Sequence, residues 1–303
     1  MYKRYTVEEI KRKVIETLQN NDGAGMSSIE LANAIHINRM TITKYLNVLA
    51  TIGLIKRKKI GSVNIWTLES GVADLEFPLN YLQIQQNFIN TIFENNRKDT
   101  SRLLLSIIYS ESESIKIIKE VIVPTLNTIN ELYNRGKLGK TELISLNNRL
   151  FDLVILLEMY HNRIRVHSNI NNIFIAGNED KVYTAKIASV ASEIMGCDTL
   201  YIGNIEQHID PFFDIDLQRY VTRSWNYKKG IKIIHIHCSD ESSLKFLFTT
   251  AEYLKRNLTD NIQITLFVNQ DLMEQAKSLN PDFITSDITS MITWIEGLSQ
   301  EQK

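Results

Sequence analysis

Asn172-Ile-Phe-Ile-Ala-Gly177 and Cys197-Asp-Thr-Leu-Tyr-Ile-Gly203 are apolar runs of strand length, each closed by a glycine. Two longer runs follow at Ile231–Cys238 and Ile262–Val268, and Phe283-Ile-Thr285 makes a short fifth. Helical patterns at 181–195, 205–223, 242–257 and 271–279 separate them, and another at 286–299 closes the chain. Strands that alternate with helices of this length predict βα units, because parallel neighbours need a crossover long enough to hold a helix. Residues 169–303 therefore read as a doubly wound parallel α/β sheet, with ligands expected at the carboxyl ends of the strands.

Residues 1–70 read differently. Val7, Ile10, Val14, Ile15 and Leu18 fall at helical spacing behind Thr6, a cap with Glu9 at the third position after it. Asn20-Asn-Asp-Gly23 ends that helix, Ser27–Ile35 forms a second, and a third runs from Arg39 to about Ile52. Two short helices, a tight turn and a longer helix make a helix-turn-helix. Leu54–Leu68 then reads as two strands around Gly61-Ser62, with the basic run Lys56–Lys59 on the hairpin: a wing. Such a head binds duplex DNA, the third helix entering the major groove and the wing gripping phosphate. Asn38, Arg39, Thr41, Thr43, Lys44 and Tyr45 form the exposed side of the third helix, and Met40, Ile42, Leu46 and Leu49 its core side. Arg39 and Asn38 are placed to read bases, while Lys44, Lys56, Arg57, Lys58 and Lys59 meet phosphate.

Charge supports that division. The chain of 303 residues carries a net charge of −1, yet residues 1–66 hold 11 Lys/Arg against 5 Asp/Glu and the remainder 23 against 30. A basic head on an acidic body suits a polyanion-binding domain joined to one that does not bind polyanions. No apolar run reaches the ~20 residues of a membrane span, and the N-terminus is not a signal peptide. Two cysteines, Cys197 and Cys238, cannot make a disulfide framework, so reduced thiols in a cytoplasmic protein are expected.

Between head and sheet, Glu69–Asp74 is the Gly- and Ser-bearing break, and residues 76–168 are helical. Helices are expected from Phe77 to about Asn95, over Asp99–Ile108, from Ser112 or Ser114 to Arg135, and from Lys140 to about Asn162. Leu143, Leu146, Leu150, Leu153, Val154 and Leu157 repeat at bundle spacing in the last, which predicts a four-helix bundle.

The stretch Val121-Ile-Val-Pro-Thr-Leu-Asn-Thr-Ile-Asn-Glu-Leu-Tyr-Asn-Arg-Gly136, followed by Lys137-Leu-Gly-Lys-Thr-Glu142, resembles the end of the helical cap in cobalamin-binding modules. With the head, this layout resembles the cobalamin-dependent, light-sensing repressors, whose second half is Rossmann-like. The resemblance implies a ligand cleft between cap and sheet, but its chemistry is altered. Tyr133 stands where the family carries a Trp over the corrin, Glu142 matches the first Glu of the last helix, and Leu143-Ile144 replaces the following Glu-His pair. In the loop after the first strand, Glu179-Asp-Lys-Val-Tyr-Thr184 replaces the family's Glu-x-His-x-x-Gly. Lys181 thus stands for the lower cobalt ligand and Thr184 fills the place of the Gly where the nucleotide tail would pass. The Gly203-Asn204 turn is retained.

Other polar residues near the expected ligand mouth are Tyr183, His235, His237 and Asp240. His235 and His237 share a strand face, but no third metal ligand is evident, so no metal is expected. Lys181 and Tyr183 at a helix start suggest an anionic ligand or an acidic partner segment. No nucleophile–base pair, Walker loop or Gly-x-Gly-x-x-Gly fingerprint is present. The expectation is a homo-oligomeric, non-enzymatic transcription regulator whose sensor half has lost conventional cobalamin binding and answers to another effector or a protein partner. A cobalamin photoreceptor with an altered ligand set, a corrinoid methyl-transfer protein and a protein-interaction scaffold are the alternatives.

Overall fold

The computed structural model describes residues 7–21, 25–51, 54–61, 63–68, 81–94, 97–110, 114–161, 168–206, 211–225, 228–257 and 261–301. The expected cap at Thr6, the turn residue Ser62, the linker Glu69–Asp74 and the starts at Phe77 and Ser112 lie outside them. Two compact units divide at Val121 and Ile122.

In the first unit, α1 (Val7–Gln19), α2 (Ser28–Ile35) and α3 (Arg39–Thr51) are joined by a three-stranded antiparallel sheet: β1 (Met26–Ser27), β2 (Ile55–Ile60) and β3 (Val63–Leu68). Ser27 starts α2 through a capping box, its hydroxyl accepting from the Glu30 N–H while the Glu30 carboxylate accepts from the Ser27 N–H. His36 ends α2 in the left-handed conformation, which makes the helix-turn-helix corner without a glycine. Ile10, Val14, Ile15, Leu31, Ile42 and Leu46 bury their side chains around Trp66. The Trp66 indole N–H donates to Ser28 Oγ at 2.9 Å, so the largest core residue carries no orphan donor. Next come α4 (Tyr81–Phe93), whose buried stripe is Ile84, Phe88 and Ile92, and α5 (Arg97–Ser110), which packs on it. A short α6 (Ser114–Ile117) runs into a π-helical turn, Ile118–Ile122.

In the second unit, α7 (Val123–Asn134) continues directly from that π-turn, and Pro124, which has no N–H to give the preceding turn, stands where the hydrogen-bond pattern changes. It packs on α8 (Lys140–His161). All the expected helices of residues 76–168 are present; α4 to α6 fall in the first unit, α7 and α8 in the second. The parallel sheet contains β4 (Ile170–Ala176), β5 (Asp198–Asn204), β6 (Ile231–Cys238), β7 (Ile262–Val268) and β8 (Phe283–Thr285), in the order β5-β4-β6-β7-β8. Its crossovers are α9 (Val182–Ile194), α10 (Pro211–Trp225), α11 (Glu241–Asn257) and α12 (Met273–Ser278), and α13 (Ile288–Glu301) ends the chain. This is the Rossmann-like topology expected, with the order reversing beside β4.

The sheet's two faces differ in chemistry. One is apolar: Ile173, Ile175, Ile234, Ile236 and Cys238 pack with Leu217, Val221, Leu244 and Leu247 of α10 and α11. Trp225 belongs here, buried at the end of α10, with the Lys232 ammonium 5.9 Å from its ring centre. The opposite face, under α9 and α13, carries buried polar groups: Asn172, His235, His237 and Thr265. Both cysteines are free and buried. Among the described residues no helix is long and apolar enough to cross a membrane.

Candidate functional site

Two surfaces gather the candidate residues. On the head, α3 exposes Arg39, Thr41 and Lys44 as its sequence pattern implies, and Ile42, Leu46 and Leu49 are buried. Four positions depart from expectation. Met40 is 76% exposed, not core, because two residues before Ile42 it lies about 200° round the helix from the buried stripe Ile42, Leu46 and Leu49. Asn38 accepts the Met40 N–H at 2.8 Å through its side-chain oxygen, so it caps α3 and keeps only its amide N–H2 for a base. Tyr45 is half-buried against the head core rather than on the open face. Thr43 is half-buried as well, and its hydroxyl donates back to the Arg39 carbonyl at 2.7 Å.

The wing splits the basic run. Strand alternation places Arg57 and Lys59 on the face of Ile55, and the register pairs Arg57 with Trp66 and Lys59 with Asn64. Lys56 and Lys58 are on the other face, paired with Thr67 and Ile65. All four are exposed.

The second surface is a cleft of about 940 Å³ at the carboxyl ends of the strands, roofed by α7 and α8. Its floor is built from the residues that directly follow strands. Gly177 follows β4 so close to the end of β6 that a Cβ would lie 2.6 Å from Cys238 Sγ, which explains the glycine. Asn178 then ties the loops together: its side-chain N–H2 donates to Asp240 and to Ser243 Oγ, and its oxygen accepts the Ser239 N–H at 2.8 Å. Asp240 is an ionised anchor. Burial raises its pKa, but bonds from Ser243, Asn178 and Ser242 outweigh that and hold it low. It also caps α11 through the Ser243 N–H, so it is absent from the cleft lining, against expectation.

Lys181 is buried at the floor. Its ammonium donates to Asn269 Oδ1, lies 3.3 Å from Asp180 and sits 5.7 Å from the Phe267 ring centre. Its charge is therefore matched within the protein rather than held open for an anion. Thr184 lines the cleft and is buried, donating to the Lys181 carbonyl at 3.0 Å. Having given its proton there, its oxygen accepts from His237 Nδ1 at 3.2 Å. His237 Nε2 is then a buried acceptor without a partner, on a ring stacked 4.9 Å from Phe267. Burial, then His235 and Lys181, holds this imidazole neutral. His237 is likewise absent from the lining, with Thr184 in front of it.

Tyr183 lines the cleft, donates to Asn148 Oδ1 at 3.0 Å and meets Phe151 edge-on. Burial, and then Glu179, raises its pKa. Tyr133 and Glu179 also line the cleft, and the Glu179 N–H donates to Glu206 at 2.8 Å. Glu142 does not line it: its carboxylate folds back on the Gly139 N–H at 2.7 Å and caps α8. Leu143 and Ile144 face the cleft where the family's Glu-His pair is expected.

Sequence reasoning missed Asn147, Asn178, Glu206, Asn269 and Asp271. Asn178 and Asn269 follow strands almost directly, where a doubly wound sheet presents ligand groups, and that position was a readable signal. Asn147 interrupts the apolar stripe Leu143, Leu146, Leu150, a second one. Among the described residues, no group of three His, Cys, Asp or Glu side chains is arranged to hold a metal ion.

Residues 7–56 match the family model described as winged helix-turn-helix DNA-binding. No curated protein matches the sequence significantly. Among solved structures, the chain is similar to the monomethylamine corrinoid protein of Methanosarcina barkeri, at 8% identity and a TM-score of 0.54, over 72% of this chain and 99% of that one. A cobalamin-binding protein from Desulfitobacterium hafniense DCB-2 aligns at 10% identity and a TM-score of 0.40, over 71% of this chain and 98% of its own. A winged helix-turn-helix DNA-binding head is thus joined to a body with the fold of a corrinoid protein.

Proposed function

We propose that this protein is a cytoplasmic, homo-oligomeric transcription regulator whose α7–α8 cleft is an effector site rather than a catalytic one. The observation that carries the reading is the head: an α3 with Arg39, Thr41 and Lys44 exposed beside a basic wing. Arg39 supplies base-edge contacts, with the exposed Met40 available to a thymine methyl group; Lys44 and the wing supply phosphate contacts. Heads borne by an oligomer read paired half-sites, and a ligand that prefers one body conformation alters their spacing and so their joint affinity. The polar groups of the cleft floor hold loops together, which supports binding rather than catalysis.

The residues do not fit conventional cobalamin ligation. Lys181 is a paired ammonium with no lone pair for cobalt, Leu143 and Ile144 offer no upper ligand, and Thr184 with His237 occupies the space a glycine would leave open. The test has two arms. Selection of bound duplexes from a random pool should return a sequence with two related half-sites, and Arg39→Ala should relax it at specific positions. Titration of the purified chain with cobalamin at ~100 μM, where even weak specific binding would register, should leave the corrin spectrum unchanged. A shifted corrin band at one equivalent would restore the cobalamin sensor, and a pool with no enrichment would favour a protein-docking head.

A further inference from the structure

Building on that reading of the cleft as an effector site, we infer that its ligand is an organic cation carrying hydrogen-bond donors on an apolar or aromatic frame. The lining holds five carboxylates, Glu179, Asp180, Glu206, Asp271 and Asp287, against two lysines, Lys140 and Lys181. Lys181 is matched by Asp180. The remaining field is negative and favours a cation over the anion that a corrin phosphate or an acidic peptide would bring.

A second observation is independent of charge. Asn147 is 6% exposed, lines the cleft, and leaves its side-chain oxygen buried without a hydrogen-bond partner. Buried acceptors in native proteins are nearly always paired, so an acceptor at a cleft wall marks where a ligand donor belongs. The roof that carries it mixes the apolar and aromatic side chains of Leu126, Leu143, Ile144 and Tyr133 with the amides of Asn127, Asn130 and Asn134 and with Lys140. An ammonium or guanidinium group bound to Asn147 would share the cleft with these carboxylates and with the rings of Tyr133 and Tyr183, whose faces attract a delocalised cation. The volume, about 940 Å³, lies in the range of clefts that take drug-sized molecules.

The test uses the full chain and two xanthene dyes of like frame and opposite charge: rhodamine 6G, a cation with N–H donors, and fluorescein, an anion. Rhodamine 6G anisotropy should rise saturably between about 1 and 100 μM, and fluorescein should not bind. Asn147→Leu keeps the volume and removes the acceptor; it should weaken rhodamine binding about tenfold, the value of one hydrogen bond to a charged donor, without lowering Tm. Asp271→Asn, at an exposed position, should weaken it about threefold through charge alone. Equal binding of fluorescein, unchanged affinity in Asn147→Leu, or no rhodamine binding would overturn the inference. Duplex DNA binding is measured in parallel. If it persists while the dye fails, the ligand class falls and the regulator stands. If the dye binds without altering DNA affinity, the ligand class stands and the effector role falls.

Discussion

His235 shows how a single buried polar side chain fixes its surroundings. Asn172 Oδ1 can only accept, so His235 Nε2 carries the proton at 3.3 Å, and Nδ1 accepts the Thr265 hydroxyl at 2.7 Å. Burial pushes the imidazole down to about 3, so this network does not titrate near neutrality. Thr265→Val removes the hydroxyl and leaves Nδ1 unpaired; unfolding free energy should fall by about 1–2 kcal/mol in urea titrations. Glu193 behaves oppositely. Burial and the neighbouring Glu158, partly offset by Lys186 and reinforced by Asp198, raise its pKa to about 7. The folded state therefore holds this proton more tightly than the unfolded state. Its contribution is fully present below the unfolded pKa and is lost as pH rises through about 7. Glu193→Gln should match the wild type in unfolding free energy at pH 5 and exceed it at pH 8, by about 1 kcal/mol once solvent screening of a half-buried carboxyl is allowed for. A constant difference across that range would remove Glu193 as the source.

At the scale of elements, the wing makes the sharpest prediction. Arg57 and Lys59 continue the sheet face that packs on the helices, whereas Lys56 and Lys58 point to the other side. The pair on the side of α3 should carry the phosphate contacts. Arg57→Ala/Lys59→Ala should reduce the slope of log K against log salt by about 2, and Lys56→Ala/Lys58→Ala by less than half of that. Equal effects would mean the hairpin lies edge-on to the backbone. Elements of this kind were legible in the sequence because periodicity reports burial: the α3 stripe of Ile42, Leu46 and Leu49 and the strands from β4 to β8 all follow it. Met40 follows the same rule: two residues before Ile42 it lies about 200° round the helix from the stripe, and only its apolar side chain suggested the core. The polar face of the sheet was hidden, because Asn172, His235 and Thr265 satisfy one another across three strands that only the fold brings together.

For the whole molecule, a basic head and an acidic body were readable from charge alone, and the α/β half from its alternating pattern. The cleft was readable in place but not in content. Position in the chain put Glu142, His237 and Asp240 in it, yet each is engaged elsewhere: capping α8, held by Thr184, and capping α11. Residues whose side chains can bond locally are diverted from a site by those bonds, and no sequence spacing records the competition. Regulation through the cleft requires that the head bind DNA. The most direct measurement is fluorescence anisotropy of the full chain on a selected duplex at 50 and 200 mM salt. Binding in the nanomolar to micromolar range at low salt, weakened about 10²-fold or more at high salt and lost in Arg39→Ala/Lys44→Ala, is the predicted result. No binding at ~10 μM protein in 50 mM salt would contradict it.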